Sequence, residues 1–172
     1  GRRPSWLRAA VLALAAVAGN PAAAQPLDGQ RTVRLLGRDG ASVVLGTVRF
    51  TPQADGRSAF ALEWRADAFQ DFFLSMKEFK CVQAPAEVFC HVPYPYPQPG
   101  TVGPGDLAWL EHSLLFMFKT PSEFGARLWN GIYYRLQADG TALVGTPQAV
   151  DLNRISAPPD TPGVPPFRPA LR

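Results

Sequence analysis

Apolar and polar residues alternate along much of the chain between residues 32 and 65. Four short segments have strand character: 32–36, 42–45, 47–50 and 58–65. The last alternates cleanly, as is typical of a β-strand that buries one face. In the last segment Phe60, Leu62 and Trp64 fall on one side. Turn residues separate the segments, with Gly40 and Gly56 placed where positive φ is needed. The pattern predicts an antiparallel meander with one buried face.

Two later stretches also have strand character. Residues 132–136 and 142–145 flank an Asp139–Gly140 turn and predict a second hairpin. The segment 67–80 is ambiguous, because its aromatic residues fit both a helical stripe and a strand alternation. We favour a strand after Phe72 in this segment, because it leads into the first cysteine.

The run from Asp106 to Lys119 has the strongest helical pattern in the chain. Apolar side chains occupy most of the helical wheel and leave a narrow polar stripe that includes Glu111, His112 and Lys119. We expect a mostly buried helix with that stripe exposed. The sequence Thr-Pro-Ser-Glu at 120–123 has capping-box spacing and predicts a short second helix to about residue 128.

These elements predict an α+β fold, in which an antiparallel meander-like sheet of two strand clusters packs against one amphipathic helix and a short second helix. The single globular domain is expected to span 25–156. Alternate prolines in 91–100 exclude regular helix or sheet and predict an extended strap across the surface. The proline-rich segment 157–172 is expected to be an irregular tail.

Residues 1–24 have the layout of a secretory signal peptide. Three arginines precede an apolar run of about ten residues, which is too short to span a membrane, and small residues lead up to Ala24. Cleavage after Ala24 would fit, and Arg2–Arg3 also permits a twin-arginine route. An uncleaved amphipathic or anchoring helix is the alternative.

The position of the charged residues along the chain changes what the net charge implies. The chain has 17 Lys plus Arg against 14 Asp plus Glu, a formal charge of +3. Three of the arginines and none of the acids lie in 1–24, so the remainder is formally neutral. Nucleic-acid binding therefore has no electrostatic basis there, and we expect a periplasmic or secreted protein without a stable transmembrane anchor.

Cys81 and Cys90 are the only cysteines. In an oxidising compartment an even count with a turn-forming connection predicts a disulfide between the two arms of a hairpin. Free or intermolecular thiols are the alternative. A redox-active pair would need C-x-x-C spacing, and a zinc site that used both cysteines and His91 would have three ligands close in sequence without tetrahedral spacing. We expect no metal and no cofactor.

His91 is the first candidate for chemistry, because the preceding cysteine and the following stiff strap would hold its ring. As a general base it would need an orienting acid, such as Glu78 or Asp71. Its structural alternative is a histidine bonded to a loop carbonyl. His112 is interpreted as part of a solvated helix face. Motifs for nucleophilic catalysis or phosphate binding are not recognisable.

Tyr94 and Tyr96 are alternate members of the strap, and extended Pro-Tyr segments hold rings at fixed spacing with little entropy left to lose. Such rings suit binding of a small ligand or packing against an envelope protein, although they can also cover the domain's own core. We therefore expect a noncatalytic binding or interaction module of the cell envelope, with His91, Tyr94 and Tyr96 at its site. The alternatives are a small hydrolase that uses His91 with Glu78 or Asp71, and a purely structural envelope protein with a flat apolar patch.

Overall fold

The computed structural model describes residues 26–36, 40, 42–83, 87–120, 130–139 and 142–167. Within these ranges the fold is mostly β, with ten strands, a 3₁₀ turn at Ala66–Ala68 and two short α-helices. The strands are β1 (Gly29–Leu36), β2 (Ser42–Pro52), β3 (Ser58–Trp64), β4 (Gln70–Leu74), β5 (Lys77–Gln83), β6 (Val88–His91), β7 (Thr101–Val102), β8 (Phe116–Lys119), β9 (Gly131–Asp139) and β10 (Ala142–Val150). The helices are α1 (Ala108–His112) and α2 (Asn153–Ser156).

All ten strands belong to one sheet, in the order β4-β5-β6-β8-β9-β10-β1-β2-β3-β7. Every neighbouring pair is antiparallel except β1 and β10, which run parallel with Val33 opposite Leu143. The predicted meander, hairpins and antiparallel pairing are therefore present. The two predicted strand clusters are not separate, because the β1–β10 pair joins them into one sheet.

The predicted helix over 106–119 is wrong for most of its length. The α-helix covers Ala108–His112, and Phe116–Lys119 instead form β8 between β6 and β9. Phe116 and Met117 are both almost fully buried, but they contribute to apolar clusters on opposite sides of the sheet. A strand that is buried on both faces has a continuous run of apolar residues. On a helical wheel such a run is apolar on all sides, so it resembles a buried helix.

The sheet has an apolar cluster on each face. The first cluster is the larger one, and its buried members are Val33, Leu45, Val48, Phe50, Val82, Val102, Leu110, Leu114, Phe116, Ile132, Tyr134 and Leu143. The second cluster lies across the strands around β5, β6 and β8, and its buried members are Leu74, Cys81, Val88, Cys90, Leu115, Met117, Tyr133, Val150, Leu152 and Ile155. Successive residues on the central strands thus alternate between two cores.

The predicted disulfide is confirmed. Cys81 and Cys90 face each other in the β5–β6 ladder with their Cα atoms 4.0 Å apart, and their sulfur atoms are bonded. Both residues are fully buried in the second cluster. The bond therefore covalently fixes the register of these two strands at one point.

The ambiguous segment 67–80 forms a hairpin. Strand structure after Phe72 is confirmed, but the chain turns at Ser75 and Met76, which both adopt positive φ without being glycine. The turn leaves two large apolar side chains in solvent, with Phe73 71% and Met76 84% exposed. This hairpin places β4 at one edge of the sheet.

The segment that follows α2 has no further helix or strand over 157–167. It nevertheless packs on the sheet, because the Phe167 side chain contacts the second cluster and its ring lies 4.8 Å from that of Tyr133. The proposed signal peptide, the predicted second helix and the last residues of the tail lie outside the described residues. Within the described ranges, no helix has the length and apolar character needed to cross a membrane.

Loss of the disulfide is expected to destabilise the fold. A Cys81→Ala/Cys90→Ala double variant should lose about 2 to 3 kcal/mol of unfolding free energy, because the unfolded chain is no longer constrained. Urea unfolding of both proteins measures the difference. As a control, alkylation of the unfolded, unreduced wild type should modify neither cysteine by intact mass. Equal stability of variant and wild type would contradict this expectation.

Gly46 allows a close approach of β2 and β3. A Cβ atom there would lie 2.1 Å from the Glu63 carbonyl oxygen and 3.0 Å from the Trp64 Cα. We expect Gly46→Ala to cost about 2 kcal/mol or more in unfolding free energy, because the two strands must separate. Gly105→Ala is the matched control, since nothing lies within 4 Å of its Cβ position. Similar losses in both variants would show that the close approach is unimportant.

Candidate functional site

Three adjacent strands bring polar side chains onto one face of the sheet. Asp71 on β4 is directly opposite Lys80 on β5. Lys80 and His91 are the next residues along β5 and β6 from the disulfide-bonded pair. Because the cysteines face the second cluster, alternation turns Lys80 and His91 to the opposite face. Asp71, Lys80 and His91 thus form a row across the β4–β5–β6 end of the sheet.

This row is one side of a cavity of about 410 Å³. The other side comes from the end of β3 and the turn that follows it. The lining residues are Trp64, Ala66, Phe69, Asp71, Lys80 and His91. The volume lies within the range of small-molecule sites, which is roughly 300 to 1,000 Å³.

The His91 ring is held on three sides. Its Nε2–H donates to the carbonyl oxygen of Ser113 at 2.9 Å, and its centroid lies 4.7 Å from Trp64 and 5.5 Å from Phe116. Burial lowers the pKa of His91, and the hydrogen bond to Ser113 opposes this effect in part. The imidazole is therefore neutral near pH 7, with Nδ1 as an acceptor.

Asp71 and Lys80 form an ion pair across the hairpin. The Lys80 ammonium donates to Asp71 Oδ1 at 2.5 Å, and Glu78 Oε1 lies 3.7 Å from the same nitrogen. This hydrogen bond to Asp71 is the main cause that raises the pKa of Lys80, so the ammonium keeps its charge. The Lys80 ammonium therefore lies between two carboxylates, of which Asp71 belongs to the row.

Trp64 and Phe69 form an aromatic corner of the cavity. Their ring centroids are 5.3 Å apart and the planes meet at 84°. Trp64 is placed by the outer half of the meander, and Phe69 by the 3₁₀ turn that reverses the chain into β4. Both rings also pack against the first cluster, which holds the corner in position.

The site residues predicted from sequence do not all meet. His91 lines the cavity together with Asp71, one of the two proposed acids, whereas Glu78 reaches the site through Lys80. No hydrogen bond joins His91 to a carboxylate in the described part of the chain, because Nε2 is bonded to Ser113 and Asp71 to Lys80.

The tyrosine pair of the strap lies elsewhere. The Tyr94 ring packs 5.7 Å from Tyr96 and 5.8 Å from both Trp109 and His112, and it contacts the second cluster. The Tyr96 hydroxyl donates to the carbonyl oxygen of Ser156 at 2.5 Å. Neither tyrosine lines the cavity beside His91. Both rings are half-buried against the domain itself.

His112 is buried, which corrects the expected exposed stripe on the helix. Its Nδ1 is 2.8 Å from the Ala108 carbonyl oxygen, and the Phe167 backbone N–H donates to its Nε2 at 3.3 Å. Lys119 is also buried and donates to the Thr120 carbonyl. Glu111 is half-buried and accepts hydrogen bonds from the hydroxyl of Tyr133 and from a backbone amide of β9. The three polar residues thus have structural partners.

Trp64, Phe69 and Lys80 were not predicted as site residues. Trp64 carried a signal as the last apolar residue of an alternating strand, but the alternation itself gives no partner for it. No cluster of three or more potential metal ligands is found among the residues that the structure describes. Comparisons of the chain with models of protein families, with curated proteins and with solved structures find no match.

The lowered pKa of His91 should make stability pH-dependent. In the unfolded chain the ring takes up a proton near its ordinary pKa of 6.5, before the folded protein does. Its contribution is thus complete above 6.5 and is lost as the pH falls. We expect the melting temperature to drop between about pH 7.5 and about pH 5.5, and the NMR titration of His91 to give a pKa below 6.5.

His91→Gln is the control for this titration. The glutamine amide can donate to the Ser113 carbonyl but does not titrate. The variant should lose less stability over the same pH interval, because the titrating ring at position 91 is absent. Identical pH profiles, or a His91 pKa at or above its ordinary value, would refute the assignment.

Proposed function

We propose that this chain is a binding module of the cell envelope that takes a small organic ligand in the cavity beside His91. The observation that supports this most strongly is the convergence of His91, Asp71 and Lys80 on one cavity with an aromatic corner. A concave, mainly apolar site with a few placed polar groups and a histidine of shifted pKa is the usual form of a ligand pocket.

Export to the periplasm or the exterior is part of the proposal. The Cys81–Cys90 disulfide supports it, because such bonds persist in oxidising compartments. The signal-peptide pattern of residues 1–24 supports it independently. The half-exposed Tyr94–Tyr96 face remains a second candidate surface, suited to a protein partner rather than to the small ligand.

Two contacts favour binding over catalysis. The His91 Nε2–H is hydrogen-bonded to the Ser113 carbonyl, and the Asp71 carboxylate is paired with Lys80. No carboxylate is thus hydrogen-bonded to His91 among the described residues, so a histidine–acid pair is not formed. The site therefore resembles a rigid receptor surface more than a proton-transfer pair.

A small hydrolase is the second candidate, favoured by the shared cavity of His91 and Asp71. In that case Nδ1 of His91 would activate a water molecule. Cleavage of p-nitrophenyl acetate would then fall about 10²-fold or more in His91→Gln. A rate no greater than that of the variant would leave the binding module as the remaining proposal.

Blocking the cavity tests the binding proposal. We expect at least one of benzyl alcohol, benzylamine, benzoate and methyl glucoside to cause saturable NMR shifts of Trp64 and His91. Ala66→Trp should weaken that binding about tenfold or more, because its side chain projects from a lining position. Ala61→Trp is the matched control, since Ala61 is an exposed residue of β3 outside the lining.

Two results would contradict the binding proposal. Shifts that are unchanged in Ala66→Trp, or the absence of saturable shifts with all four probes in the wild type, would overturn the proposal. Melting temperatures of both variants near that of the wild type establish that each is folded.

A further inference from the structure

We infer that the ligand of the His91 cavity carries a positively charged ammonium group, which is bound against Trp64 and Phe69 with Asp71 as its counter-charge. This inference rests on the proposed function, because it assigns a chemical class to the ligand of that same site. It draws on three independent features of the cavity, namely its charge, its ring geometry and its hydrogen-bonding groups.

The charge of the site favours a cation. Asp71 and Glu78 are two carboxylates around one ammonium, that of Lys80. The nearby Arg65 does not change this difference, because it is paired with Asp67 at 2.8 Å. The neutral His91 adds no charge. One negative charge is thus in excess, which disfavours a carboxylate or phosphate ligand and attracts an amine.

The ring geometry suits an ammonium group. Trp64 and Phe69 stand at 84°, so that a group in the corner meets two aromatic surfaces at once. Perpendicular rings with a carboxylate nearby are the arrangement by which proteins bind alkylated ammonium groups. Among the described residues the cation–ring contact is that of Lys119 with Phe72, which packs against the second cluster on the other face of the sheet. No cation lies over Trp64 or Phe69 within the same residues.

The hydrogen-bonding groups of the cavity also favour a ligand with an ammonium group. The neutral His91 ring presents Nδ1 as an acceptor because Nε2–H is given to Ser113. Asp71 is also an acceptor. The donors of the lining are the Trp64 indole N–H and the Lys80 ammonium, and the ammonium gives one of its N–H groups to Asp71. A hydroxyl or N–H group beside the ligand's ammonium therefore has two acceptors in the lining, His91 Nδ1 and the Asp71 carboxylate.

The test compares choline with 3,3-dimethylbutan-1-ol, which has the same shape but no charge. Titration is followed by the NMR signals of Trp64 and His91. We expect choline to bind about tenfold more tightly than the neutral alcohol, because the difference isolates the charge. Equal affinities of the two compounds would overturn the inference while leaving a binding cavity in place.

Two variants change the charge of the site in opposite directions. Asp71→Asn should weaken choline binding about tenfold, because Lys80 loses its closest counter-charge. Lys80→Gln should strengthen it several-fold, because it removes the competing cation. Neither change should affect the neutral alcohol. Asp55→Asn is the matched control, since it alters the net charge equally at an exposed turn residue outside the cavity lining.

The remaining outcomes separate the two proposals. If methyl glucoside or benzoate binds and choline does not, the ammonium inference is wrong and the binding function stands. If none of these compounds shifts Trp64 or His91, both fail together. Equal effects of Asp55→Asn and Asp71→Asn on choline would also overturn the inference, because the attraction would then be a property of the whole surface.

Discussion

The covalent link between β5 and β6 is the constraint on which the site depends. Side chains alternate between the two faces of a strand, so a shift of one residue would move Lys80 into the second core and a cysteine toward the cavity. The Cys81–Cys90 bond prevents that shift, because it joins the residues next to Lys80 and His91 on the two strands. The disulfide is thus a structural element whose effect is felt on the opposite face of the sheet.

The contacts of His91 explain why this polar side chain can be buried at a low cost in free energy. The Ser113 carbonyl, at the end of α1, takes the one N–H that the neutral ring offers. Trp64 and Phe116 cover the ring on either side. A charged imidazole would gain from the Ser113 carbonyl, but it would lose more through lost hydration, so the pKa of His91 is lowered. Packing and protonation state are therefore consequences of the same contacts.

Local features of this fold were predictable from the sequence, and non-local ones were not. The alternating segments, their turns and the disulfide all depend on residues within about ten positions of one another. The strand β8 was misread as helix because its two buried faces belong to two different cores. His91 and Asp71 could be singled out as chemically useful residue types. Their placement beside Trp64 depends on the register of β4, β5 and β6 and on the approach of β3, which is distant in the strand order, and no periodicity encodes either.

The parallel β1–β10 pair has a consequence for the order of events during synthesis. β1 leaves the ribosome among the first elements of the sheet, and its neighbour β10 is among the last. Until then β1 has β2 on one side and an unsatisfied edge on the other, a surface on which chains associate wrongly. Completion of the sheet therefore waits for more than a hundred residues of chain. The full sheet can therefore form only after its final hairpin has been synthesised, although its local hairpins pair residues close in sequence.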